Sequence, residues 1–124
     1  MTTEFDSDAP LKIRQNWLDK VTEDIVDPNR RIVDPHHHFF AESEHFPHYS
    51  LDDLWADTGT HKVEQTVYLQ CWEGYRKSGP EELQAVGETE WVHSIAAEAR
   101  KQPDAAQICA MIGTAELRLG AAVR

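Results

Sequence analysis

The sequence predicts an α/β chain of parallel strands joined by crossover helices. Three observations carry that prediction. Apolar, β-branched runs alternate with helical patterns, and such alternation implies parallel strands. The runs at 67–69 and 108–112 are near-continuously apolar, as in strands buried on both faces. The order β, α, β, α, β and the start of a further helix leaves an apolar edge strand open. The chain is therefore expected to be the truncated first part of a larger sheet or barrel.

Taken in order, residues 1–30 read as an N-terminal extension and 31–124 as the partial α/β domain. In the extension, Leu11, Ile13, Trp17, Leu18 and Val21 suit a short amphipathic helix. Asp27-Pro28-Asn29-Arg30 then breaks the chain. The first strand is expected at 31–36, and an aromatic and histidine-rich loop follows at 39–49. Ser50 and Asp53 form a capping box for a short helix over 51–57. The β-branched and aromatic run 63–71 is the second strand. Gly74, Gly79 and Pro80 mark 72–86 as mostly loop, with room for a helical turn near 81–85. Residues 88–101 carry an apolar stripe of Trp91, Val92, Ile95, Ala96 and Ala99, with acids at the start and Arg100 and Lys101 at the end. The third strand is expected at 106–112, buried, and a last helix begins at about 115.

Composition narrows the function. A net charge of −10 argues against a nucleic-acid or anionic-membrane partner, either of which would need a basic surface. No apolar run approaches the roughly 20 residues of a membrane span. The first residues are acidic where a signal peptide would be basic and then apolar. Two cysteines make no disulfide framework, so a reducing cytoplasm is the expected compartment. No Gly-rich phosphate loop is present.

The chemistry concentrates at Val33-Asp-Pro-His-His-His38. Five of the seven histidines lie within thirteen positions: His36, His37, His38, His45 and His48. On an extended backbone His36 and His38 share a face and His37 points the other way. Two imidazoles on one face can converge on a divalent metal ion. Asp34 is a candidate for orienting an imidazole from behind; capping a turn is equally open to it. His61 and His93 read as surface or helix-packing residues, and Glu88 and Glu90 as helix-start acids. Cys71 and Cys109 read as inert core thiols. A nucleophilic pair of Cys71 with His36 lacks the electropositive setting it would need.

Val33-Asp-Pro-His-His-His38 resembles the amidohydrolase superfamily, specifically its amidohydrolase-related (amidohydrolase 2) branch of metal-dependent TIM-barrel hydrolases. Asp34, His36 and His38 match that branch's Asp-x-His-x-His. The resemblance continues through Leu51-Asp-Asp-Leu-Trp-Ala-Asp-Thr-Gly59, Thr66-Val-Tyr-Leu-Gln-Cys71 and Val86-Gly-Glu-Thr-Glu-Trp-Val92, and covers about residues 31–120. It implies the N-terminal part of a (β/α)8 barrel, roughly three of eight strands, with the site at the C-terminal strand ends.

The resemblance further implies hydrolysis of an amide, ester or lactone by metal-activated water, with zinc the expected metal and His36 and His38 its ligands. The family's remaining ligands and its usual general base come from strands beyond these three. Some members decarboxylate aromatic acids. Others act on lactones without a metal, in which case His36 and His38 would polarise the carbonyl. In a barrel the loops after the first two strands share the histidines' face. Those loops carry His45 and His48, then Trp72, Tyr75 and Arg76. Trp72 and Tyr75 are candidates to pack on a small-molecule substrate's ring, and Arg76 to bind its carboxylate; loop packing and a solvated arginine are equally open. Asp34 and Arg76 are thus the candidate catalytic residues. The alternative is a non-catalytic barrel fragment that binds metal weakly at most and self-associates through its open sheet edge.

Overall fold

The computed structural model describes residues 14–41 and 46–123. Its elements are α1 (Gln15–Leu18), β1 (Ile32–His37), α2 (Leu51–Thr58), β2 (Val63–Leu69), a 3-10 turn (Glu81–Leu83), α3 (Val86–Ala99), β3 (Gln107–Ile112) and a 3-10 segment (Leu117–Val123). The three strands form one parallel sheet in the order β1-β2-β3. Each crossover carries a helix, as parallel neighbours require. No described helix is long and apolar enough to cross a membrane.

Both crossover helices pack on the same face of the sheet. One cluster joins Leu54 of α2 and Val92 and Ala96 of α3 to Phe39, Tyr68 and Ile108. Local chemistry places α2. Ser50 Oγ accepts the Asp53 amide at 3.4 Å, and the Ser50 amide donates to Asp53 Oδ2 at 2.8 Å. This reciprocal box satisfies two backbone donors at the helix start. Trp55 then donates its indole N–H to the Ala106 carbonyl at 3.0 Å and ties α2 to the start of β3.

Several expectations are corrected. Among the described residues the sheet is covered on one face only. Ile108 is buried but its neighbour Cys109 is exposed, and Val33, opposite Gln65 in the register, is 54 % exposed. The apolar run of β3 thus reflects one buried face and one open face. Cys109 is no core thiol, although its Sγ donates to the Thr66 carbonyl at 3.3 Å. The N-terminal helix is only four residues long and leaves Trp17, Leu18 and Val21 exposed; Leu11 and Ile13 lie outside the described residues. The last segment is not a continuous helix, because Gly120 adopts φ 57° and breaks it. β2 ends at Leu69, two residues early. The Gln70 amide still meets Ile112, but the Cys71 amide turns to the Glu88 side chain.

Candidate functional site

β1 is an edge strand, so Pro35 costs it no ladder bond that a neighbour needs. The register slips there: Asp34 faces Thr66 while His37 faces Tyr68, three residues of β1 against two of β2. Such a bulge re-aims the following side chains. Asp34 Oδ1 accepts the His36 amide at 3.0 Å and stabilises the bend. Of the two roles open to Asp34, this is the turn-capping one.

Beyond the bulge the three imidazoles separate. His37 is 7 % exposed, with its ring edge-on to Phe39 (4.9 Å) and Tyr68 (5.7 Å). Neither of its ring nitrogens has a partner among the described residues. Burial pushes its pKa below the ordinary value, with the Asp34 charge opposing. It is a neutral core imidazole.

His36 and His38 meet each other. Their Nε2 atoms are 3.1 Å apart and the rings stand at 84°. His38 Nδ1 lies 2.9 Å from the Leu69 carbonyl oxygen, which can only accept. Nδ1 therefore carries the proton, and in the neutral ring the Nε2 lone pair is left facing His36. Two nitrogens on adjacent corners of a zinc tetrahedron, each about 2.0–2.1 Å from the ion, would lie about 3.3 Å apart. The 3.1 Å separation is close to that edge, and a carbonyl behind one ring is the usual way a ligating imidazole is oriented. The donor set is two imidazoles: among the described residues no three His, Cys, Asp or Glu side chains converge. His48 lies apart, on an apolar cleft of about 310 Å³ with Phe40, Trp91 and Ile95. His45 lies outside the described residues.

The second group of candidates divides. Trp72 and Tyr75 line a cleft of about 500 Å³ with Glu81, Glu82, Thr114 and Leu119, beyond the C-terminal ends of β2 and β3. That is the same end of the sheet as His38, because all three strands are parallel. Arg76 is not among the lining residues. Its guanidinium forks onto the Glu90 carboxylate, with Nε 3.0 Å from Oε2 and a second contact from Nη2 to Oε1. The bidentate partner expected from a substrate is supplied by α3. Larger clefts, of about 590 and 640 Å³, lie at the opposite end of the strands, around His61 and Pro103, away from the imidazole pair.

Glu88 is the residue whose role was not foreseen. It is 3 % exposed. Its Oε1 accepts from Tyr68 Oη at 2.8 Å, the Cys71 amide at 2.7 Å and the Glu73 amide at 3.4 Å. Between those two amides Trp72 adopts φ 67°, a left-handed conformation that costs a non-glycine residue about 1–3 kcal/mol. The signal was present in the spacing. Glu88, Val92, Ala96 and Ala99 are all buried, so the acid continues the apolar stripe of α3. Gly87 lets the helix approach: a Cβ there would meet Arg76 N at 2.5 Å and Gly74 O at 2.6 Å. Burial also pushes the neighbouring Cys71 thiol up, which argues against a nucleophilic thiolate.

Comparison with protein-family models, with curated proteins and with solved structures gave no match.

Proposed function

We propose that the chain carries the first-strand element of a metal-dependent hydrolase of the amidohydrolase type, acting on an amide, ester or lactone. The observation that carries this reading is the 3.1 Å approach of His36 Nε2 to His38 Nε2, with the His38 lone pair directed by the Leu69 carbonyl. His36 and His38 would hold a divalent ion, zinc by the chemistry of two imidazoles. When bound, such an ion lowers the pKa of a coordinated water and polarises a carbonyl. His38 supplies a fixed lone pair, and His36, exposed, completes the pair. Asp34 shapes the bulge that aims both rings. The cleft at Trp72 and Tyr75 offers aromatic surface for a substrate ring one strand away.

The surrounding architecture proposed is the opening of a (β/α)8 barrel. Sequential strand order, crossover helices on one face and a histidine pair at the C-terminal end of the first strand support it. A reducing cytoplasm suits the two free cysteines.

One observation favours a second, non-catalytic reading. Val33 and Ile112, at the two edges of the sheet, are 54 % and 55 % exposed, which suits association through the open edges with only weak metal binding.

The test is zinc titration of the chain, followed by a screen of aryl esters, lactones and anilides with and without the metal. Zinc-dependent turnover that is lost in both His36→Ala and His38→Ala is expected under the first reading. Turnover independent of both histidines would end it. Binding without turnover would leave the second.

A further inference from the structure

Glu88 is a buried acid that the reading above leaves unused. Every donor described on it converges on one oxygen. Tyr68 Oη donates from within β2, and the Cys71 and Glu73 amides donate from just past its end. The other oxygen, Oε2, is buried and has no partner among the described residues. The placement follows the end of β2.

Between the two donors Tyr68 and Cys71 lies Leu69, whose carbonyl takes the His38 Nδ1 proton. The Tyr68 ring also stacks on Phe39, the residue after His38, at 5.7 Å and 24°. We infer that Glu88 is a positioning residue for the imidazole pair, gripping β2 on both sides of Leu69 so that its carbonyl stays on His38. Its consequence for metal binding rests on the reading proposed above. The path is short and wholly in contact: Glu88 to Tyr68 and Cys71, Leu69 to His38 Nδ1, His38 Nε2 to His36. A near-isosteric Gln keeps the shape but carries one acceptor oxygen in place of two, which weakens the grip.

The experiment compares the full chain with Glu88→Gln and with Glu90→Gln as a control on the same helix. It uses two readouts. Histidine ring ¹⁵N shifts report the His38 tautomer, and competition with a chromophoric chelator reports zinc affinity. Glu88→Gln is expected to convert His38 from a single Nδ1–H form to a mixture and to weaken zinc binding about 10-fold, in the range seen when outer partners of metal ligands are removed. Glu90→Gln should change neither. A folded Glu88→Gln chain with the wild-type His38 tautomer overturns the proposal. If the wild-type chain binds no zinc through His36 and His38, the metal reading falls, and the tautomer measurement still decides the positioning role. If Glu88→Gln does not fold, Tyr68→Phe removes one arm of the grip. An unchanged His38 tautomer in that variant likewise overturns the proposal.

Discussion

His38 donates its Nδ1 proton to the Leu69 carbonyl, 2.9 Å away on the neighbouring strand. This one bond sets the ring's tautomer, its orientation and the direction of its remaining lone pair. It makes the second histidine of a three-histidine run, His37, chemically unlike the third.

His36→Ala and His38→Ala should each lower zinc affinity at least about 10-fold, while His37→Phe should leave it within about 2-fold. Among the described residues His37 has no hydrogen bond to lose, and it sits among aromatic rings. Replacing a buried, unpaired polar ring with an apolar one of similar shape is neutral or stabilising by up to about 1–3 kcal/mol. His37→Phe should therefore also raise the thermal midpoint. Equal loss of zinc affinity in all three variants, measured by calorimetry, would sink the face assignment.

The capping box gives a pH dependence of definite sign. Hydrogen bonds from Ser50 hold the Asp53 carboxyl below its ordinary value in the folded chain. The unfolded state therefore binds the proton first. The contribution is present above about pH 4 and is lost as the pH falls through the folded value. Ser50→Ala should destabilise the fold by about 1 kcal/mol at neutral pH. The gap between wild type and variant should narrow in denaturant titrations below pH 4. A gap that widens with acid would contradict the box.

The two thiols should label at different rates. Cys109 is exposed on the open face, whereas burial raises the Cys71 pKa and places its Sγ against Tyr68 Oη at 3.3 Å. With a neutral alkylating reagent at pH 8, Cys109 should react at least about 10-fold faster, since the thiolate is the reactive form. Peptide mass analysis over time reads this directly. Faster labelling at Cys71 would show that the end of β2 opens in solution.

The exposed edges should promote association. Wild-type chain in sedimentation velocity is expected to show concentration-dependent oligomers, and Val33→Lys with Ile112→Lys should shift it towards monomer. A wild-type chain that stays monomeric at high concentration rules out association through these edges.

Legibility in the sequence followed the range of each interaction. The Ser50–Asp53 box is three residues long, and it stands where the sequence places it. The strand and helix order also follows from local periodicity. The sequence leaves Arg76 open to a substrate carboxylate or to solvent, but Glu90, fourteen residues on, takes its fork. Glu88 looked like a helix-start acid because its position in the chain is that of one. Only the stripe it shares with Val92 and Ala96 hints that it faces inward.

The sequence by itself determined an alternating α/β order, the capped second helix, and a proline-bearing strand end whose two-residue repeat puts His36 and His38 on one side and His37 on the other. Periodicity, capping and the two-residue repeat of a strand act within a few residues, so they can be read from composition in order. The tertiary structure alone decided what lies behind those histidines. Leu69 is 31 residues from His38, and Glu88 is 17 from Cys71. Those pairings exist because parallel strands set distant segments side by side, and because Gly87 lets α3 approach the end of β2 closely enough for a carboxylate to hold it.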